Sequence, residues 1–251
     1  MDFPPDPPGT LDRAIALLLS VARDGAERPI ADHAAALDIP LSSAYRTVAL
    51  FARHGLLAQG KRGFFGPGLA LASLGIASDP RAIIASAARA PLRRLARTMR
   101  ATAHLGVLEG DMVTYVVKEQ GGGRALFTRE DGQLEAYCSA IGKVLLAAVE
   151  AERLADYLAA GPFVPLTGRT ITDPPAIASE IAKVGAQGYA IDDREIADDL
   201  FCIAAPVRGP DGAVVAAISL SRPAHPTDGL APLADVLACA AAIERRLGHF
   251  S

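Results

Sequence analysis

What this 251-residue chain lacks narrows its function before any motif is considered. No uninterrupted apolar run reaches the length of about 20 residues that a membrane-spanning helix needs. The opening Met-Asp-Phe-Pro-Pro-Asp has neither a basic region nor an apolar stretch, so a signal peptide is not expected. Cysteine is scarce: Cys138, Cys202 and Cys239 are an odd number without framework spacing, which reads as reduced thiols in a cytoplasmic protein. His33, His54, His104, His225 and His249 are scattered without metal-ligand spacing, and no zinc ribbon, nucleotide-binding loop or internal repeat is present. Neither a metal nor a cofactor is expected. Global basicity is missing too. The formal net charge is −3, and residues 1–62 hold seven Lys/Arg against seven Asp/Glu. That weakens nonspecific attraction to nucleic acid but leaves room for a local basic face.

What is present begins with hydrophobic residues at 51% of the chain, enough for one large core or two ordinary ones. The most informative stretch is Arg28 to Ala58. Two short helical patterns flank a break at Asp38-Ile39-Pro40. In the second, from about Leu41 to His54, Ala44, Val48 and Phe51 share one stripe at i, i+4 and i+7. The opposite stripe holds Ser42, Arg46, Ala49 and Arg53, with no carboxylate. Small residues there permit close approach, and arginine reaches phosphate or guanine, so the pattern suits a helix laid in a DNA groove. Asp38 tolerates a left-handed turn, Pro40 disfavours helix at Ile39, and Ser42 or Ser43 is placed to cap the second helix. Such helix pairs also occur as plain structural units. Next, Gln59-Gly60-Lys61-Arg62-Gly63-Phe64-Phe65 reads as a β-hairpin wing. Lys61 and Arg62 at its tip lie near a phosphate backbone or form a solvated turn.

Around this unit, residues 1–9 read as a flexible proline-rich tail. Leu11, Ile15, Leu18, Leu19 and Ala22 mark a first helix packed on the pair. Pro67–Gly75 forms a short helix that completes a DNA-binding domain over 10–77. A linker helix fills 78–100, its apolar side given by Ile83, Ile84, Ala87, Leu92, Leu95 and Met99, with a kink or restart at Pro91. Arg89, Arg93, Arg97 and Arg100 form a cationic ridge that reads as a solvated face, with DNA flanks or an acidic patch on another subunit as the alternative. Over 101–251, strands at Ala103–Glu109, Met112–Glu119 and Arg124–Thr128 precede helices at Ala140–Ala148, Ala151–Ala160 and Pro174–Gln187. Strands at Gly188–Asp192, Phe201–Val207 and Val214–Ser221 follow, then a helix over Leu230–Leu247. Strands in blocks with helices between them predict an α+β domain around an antiparallel sheet.

At this point the chain resembles the IclR-type transcriptional regulators. The resemblance rests on LDRAIALLL, AAALDIPLSSAYRTVALFARHGLL and FGPGLALASLG in the first part. In the second it rests on CSAIGKVLLA (138–147), RTITD (169–173), GYAIDDREIADDLFCIAAPV (188–207) and AVVAAISLS (213–221). It implies a winged helix-turn-helix, a linker helix and a GAF/PAS-like effector domain in a homodimer or homotetramer. It further implies a regulator, more often a repressor, that binds double-stranded operator DNA and responds to a small metabolite, a carboxylate above all. Ser42, Ser43, Tyr45, Arg46 and Arg53 then read the major groove while Lys61 and Arg62 hold the backbone. The resemblance also places effector contacts at the Ala140 and Ile141 backbone and at Asp192, Cys202, Ser219 and Ser221. Each has a plainer reading: the serines as a polar sheet face, Cys202 as a small buried hydrophobe, Asp192 as closing the turn into Asp193-Arg194-Glu195. Tyr137, Thr47 and Asp38 depart from the family's usual histidine, aliphatic and glycine, which leaves effector and operator identity open.

An enzyme would need a nucleophile with its base, and no such constellation is visible. The alternative is a Cys-dependent hydrolase or thiol redox sensor using Cys138, whose position before a helix start would lower its thiol pKa. A third reading, a ligand-binding module without DNA activity, requires the Arg46 face to be covered.

Overall fold

The computed structural model describes residues 9–76, 79–122, 126–223 and 229–248. The proline-rich tail before Gly9 lies outside them, as do His225 and His249. The chain divides into two compact units, Met1–Asp79 and Pro80–Ser251.

In the first unit, α1 (Thr10–Asp24), α2 (Ile30–Ala36) and α3 (Leu41–Arg53) are followed by the antiparallel hairpin β1 (Leu57–Gln59) and β2 (Phe65–Pro67), then α4 (Leu69–Ile76). A bridge between Pro29 and Phe64 ties the entry of α2 to the hairpin. Leu17, Val21, Ile30, Ala34, Ala44, Val48, Leu57 and Phe65 form the core. Asp38 turns the chain between α2 and α3 at φ 50°, the left-handed conformation its short polar side chain tolerates. Two expectations fail here. Neither Ser42 nor Ser43 caps α3: Pro40 is the N-cap, and no side chain takes that role. On α1 the packed face is rotated from the expected stripe, of which Leu18 and Ala22 pack against the core while the other three do not. Leu17 and Val21 are buried, whereas Leu11, Ile15 and Leu19 are 72%, 47% and 46% exposed. Ala14 to Leu19 is apolar around the whole helix, so periodicity could not select a face.

The second unit is a six-stranded antiparallel sheet in the order β5-β4-β3-β8-β7-β6. Its strands are β3 (Thr102–Glu109), β4 (Met112–Gln120), β5 (Gln133–Glu135), β6 (Ala190–Asp193), β7 (Leu200–Arg208) and β8 (Val214–Pro223). Helices α5 (Pro80–Met99) and α9 (Leu233–Arg246) cover one face, where Ala103, Leu105, Val117, Ala205, Val207, Ile218 and Leu220 pack. On the other face, α6 (Ala140–Leu146) packs over Val113, Tyr115, Cys202, Ala204 and Ala217, α8 (Pro174–Gln187) packs on α6, and α7 (Ala151–Ala159) packs on α8. Coverage on both faces explains why β7 and β8 read as nearly continuous apolar runs rather than alternating ones.

Three expectations are corrected in this unit. α5 runs through Pro91 without a break; Pro91 is buried with Ile84, Ala88, Leu92 and Leu95, while Ile83 is exposed. The expected strand at Arg124–Thr128 is absent over its described part, Leu126–Thr128, and the third strand is the short β5. Lys118 on β4 instead straps this segment as a loop, its Nζ donating to the carbonyls of Leu126 (2.9 Å) and Thr128. The arginine ridge is not wholly solvated either. Arg89 forms a two-bond pair with Glu130 (2.8 and 3.0 Å) and Arg93 one with Glu119 (3.0 Å each).

α6 meets the strand-to-helix connection so closely that a Cβ on Gly142 would stand 2.1 Å from the Ala136 carbonyl oxygen and 2.3 Å from its Cα. Only a bare Cα fits. Gly142→Ala is expected to destabilise the protein by about 3 kcal/mol, read as a lower denaturant midpoint by circular dichroism; an unchanged midpoint would contradict this packing.

Candidate functional site

The outer face of α3 carries Ser42, Tyr45, Arg46 and Arg53 exposed, with Ser43 half-buried beside them. Ala44 and Val48 anchor the helix from the opposite side. Arg46 donates to Ser43 Oγ at 3.1 Å, a weak exposed contact that leaves most of the guanidinium donors unused. Tyr45 reaches the hairpin: a Cβ built on Gly63 would lie 3.5 Å from its hydroxyl. Lys61 and Arg62 are exposed at the hairpin turn, and Lys61 Nζ sits 3.9 Å from the centre of the Phe64 ring. Positive side chains thus sit on α3 and on the wing, and α3 itself bears no Asp or Glu.

In the second unit, sheet register builds a separate site. β3 pairs with β8 so that Thr102 faces Ser221 and His104 faces Ser219. β8 pairs with β7 so that Ser221 faces Cys202, and β7 pairs with β6 so that Cys202 faces Asp192. Thr102, Ser221, Cys202 and Asp192 therefore form one row across the sheet, and His104, Ser219 and Ala204 the next, on the face covered by α6. Cys202 Sγ lies 3.2 Å from Ser221 Oγ. Between this face and the first turn of α6 is a small cavity of about 20 Å³, lined by all six expected effector positions: Ala140, Ile141, Asp192, Cys202, Ser219 and Ser221. That volume holds about one water. Leu126, Phe127, Leu200 and Ser221 also line a neighbouring cavity of about 330 Å³. Sequence reasoning missed His104, Tyr115 and Thr128, which line the smaller cavity too. For His104 a signal existed: Ala103 and Leu105 are core, so residue 104 must face the other way.

Polar anchors fix the upper wall. Ser139 Oγ accepts from Gly142 N at 3.1 Å and caps α6. Asp192 Oδ1 accepts from the amides of Glu195 (2.7 Å) and Ile196 (3.3 Å), so it closes the following turn and lines the cavity at once. Lys143, 1% exposed, reaches from α6 to the Ile191 carbonyl (3.1 Å) and to the Glu195 carboxylate. Thr167 and Thr170 donate to the carbonyls of Arg194 and Glu195, each at 2.6 Å. Asp173 caps α8 through Ala176 N at 3.0 Å. The cavity lining has a single carboxylate and no Lys or Arg. Burial, reinforced by the Glu195 charge, pushes the Asp192 carboxyl up to about 7 against the pull of its backbone hydrogen bonds and Lys143.

The expected activation of Cys138 is contradicted. Its thiol is buried, and burial together with the Asp192 and Glu195 charges pushes it up to about 12, away from the reactive thiolate. Among the described residues no group of His, Cys, Asp or Glu is placed to hold a metal ion, and no helix is long and apolar enough to cross a membrane.

A winged helix-turn-helix joined in one chain to a helix-covered antiparallel sheet with a side-chain-lined pocket defines a class, the one-component DNA-binding regulators. Residues 80–245 match the family described as bacterial transcriptional regulator IclR C-terminal, and residues 10–61 match the IclR helix-turn-helix domain. The chain belongs to the IclR family of transcriptional regulators and is not an enzyme. It is similar to the Pca regulon regulatory protein of Pseudomonas putida, 32% identical over 148 residues that make up 58% of this chain and 50% of that protein. The HTH-type transcriptional repressor AllR of Klebsiella pneumoniae is 29% identical over 216 residues, 85% of this chain and 79% of that protein. The crystal structure of the Thermotoga maritima IclR superposes with a TM-score of 0.63 at 25% identity, covering 96% of this chain and 99% of that one.

The raised Asp192 carboxyl has a consequence for stability. Folding binds a proton more tightly than the unfolded chain does between pH 3.8 and about 7, so its contribution is full below that window and is lost as pH rises through it. Wild-type stability is expected to fall from pH 5 to pH 8 more steeply than that of Asp192→Asn, by at most a few kcal/mol. Parallel profiles in urea titrations at each pH would contradict the assignment.

Proposed function

We propose that the chain is an effector-responsive repressor that reads double-stranded operator DNA with α3 and its wing and senses a small carboxylate in the cavity beneath α6. The observation that carries the first half is the outward face of α3, cationic and free of carboxylate, next to Lys61 and Arg62. In this reading Arg46, with Ser42, Ser43, Tyr45 and Arg53, reads the major groove, while Lys61 and Arg62 hold the phosphate backbone. Repression is favoured by the likeness to AllR, itself named a repressor.

For the effector, Ala140 and Ile141 line the cavity at the start of α6, where their amides would meet the carboxylate, and Ser219, Ser221 and Cys202 supply neutral hydrogen-bonding groups. Asp192 would repel an anion if ionised. Its raised proton affinity turns it into a donor below about pH 7, which is what a carboxylate requires of a pocket without Lys or Arg. The cavity as it stands is smaller than any such acid, so the Leu126, Phe127 and Leu200 side chains that separate it from the neighbouring cavity of about 330 Å³ shift on binding, while Thr128 stays in place. The protein works as a homodimer or homotetramer in the cytoplasm. The exposed stripe of Leu11, Ile15 and Leu19, at i, i+4 and i+8 on α1, supports self-association.

Effector binding alters repression only through unequal affinity for DNA-competent and DNA-incompetent states. The test of the DNA half is Arg46→Ala on the chain's own upstream DNA and on a set of single-base variants of it. Affinity is expected to fall by about 1–3 kcal/mol with relaxed preference at one position. A uniform loss across all sequences would move Arg46 to a phosphate, and no loss would overturn the reading.

A further inference from the structure

Within the cavity one buried group has no task. The His104 side chain is 1% exposed and its ring lies tilted against Tyr115, centroids 4.7 Å apart. Nε2 is 2.8 Å from Thr128 Oγ1, but Nδ1 has no hydrogen-bond partner. A buried nitrogen left unpaired is costly and rare in folded proteins. Thr128 is itself held in place, since Lys118 binds the carbonyls on either side of Phe127 and Glu130 accepts from Lys118 N (3.1 Å) and pairs with Arg89. His104 and Thr128 are therefore a fixed pair on the cavity wall, next to Ser219 across the strand pairing.

We propose that His104 recognises a second polar group of the effector, an alcohol or phenol hydroxyl, so that the pocket selects hydroxy acids over the corresponding plain acids. This rests on the reading of the cavity as the effector pocket. The imidazole is neutral: burial, reinforced by the nearby Lys118 charge, pulls it down to about 3. It is therefore no counter-charge for a carboxylate, which must be met elsewhere. A neutral ring has one donor and one acceptor nitrogen, and the Thr128 hydroxyl satisfies Nε2 in either tautomer. Nδ1 then either donates or accepts. A carbonyl oxygen suits only the first case, whereas a hydroxyl suits both. The cavity that His104 lines has room for one water-sized group, which matches one hydroxyl oxygen.

The experiment is calorimetric titration of the full chain with three matched pairs: glycolate and acetate, lactate and propionate, 4-hydroxybenzoate and benzoate. Wild type, His104→Phe and His104→Asn are compared. For wild type, the hydroxylated member of a binding pair is expected to bind at least tenfold more tightly. The ratio should collapse towards one in His104→Phe and recover in part in His104→Asn, whose amide offers a donor and an acceptor. Binding without hydroxyl preference, or a preference that survives His104→Phe, overturns the proposal. If none of the six acids binds, the carboxylate reading fails, and the histidine is judged by melting temperature instead. His104→Phe/Thr128→Val, which removes both ends of the pair, should melt higher than wild type if Nδ1 waits unpaired for a ligand. A lower melting temperature means water or packing already satisfies it, and the proposal falls.

Discussion

The register of four strands is the constraint on which the sensing half of this molecule depends. Residues from β3, β8, β7 and β6 meet under α6 only because Thr102, Ser221, Cys202 and Asp192 are partners across three successive antiparallel pairings. A slip of one residue in any of them would carry its polar side chains to the face covered by α5 and α9 and bring core residues into the cavity. Register is specified strongly here because both faces are buried and chemically unlike. Ala103, Leu105, Ile218 and Leu220 fill one side, while His104, Ser219 and Ser221 occupy the other.

The second requirement is that α6 stay pressed onto that face, and the sequence motifs of the family describe how. Gly142 allows the close approach to Ala136, Ser139 satisfies an amide of the helix start, and Lys143 crosses to Ile191 and Glu195. A buried lysine is expensive to desolvate, and the attraction to Glu195, with Glu180 at 3.8 Å, offsets this only with good geometry; removing Lys143 would strand the Glu195 charge. Thr167 and Thr170 hold the same turn from outside. The ion pair and its threonines thus position Asp192 without touching the cavity, which separates residues that shape the pocket from those that line it.

How much of this was legible in the sequence follows from which signals were local. The break at Asp38-Ile39-Pro40, the α3 stripe and the hairpin punctuation are short-range features, and they located the helix pair and wing. α8 was found with its ends because Asp173, two prolines and Gly188 mark them. The all-apolar run in α1 hid its packed face, and residues 126–128 are strapped as a loop by Lys118 through side-chain contacts that no propensity reveals. The six pocket positions came from family resemblance and lie together, yet their neighbours His104 and Thr128 were missed. Their role depends on a pairing across the sheet and on a strap tied by Lys118, neither of which spacing along the chain can show.

The proposed regulator requires the pocket and the helix-turn-helix to be thermodynamically linked. The most direct measurement is the affinity of the full chain for its own upstream DNA, by fluorescence anisotropy, with and without a saturating acid shown to bind the pocket. The salt concentration must be held constant, because phosphate contacts make affinity strongly salt-dependent. Linkage predicts a change of at least about fivefold, matched by the same factor when acid affinity is measured with and without DNA. Equal DNA affinity in the two conditions, with the pocket demonstrably filled, would contradict it.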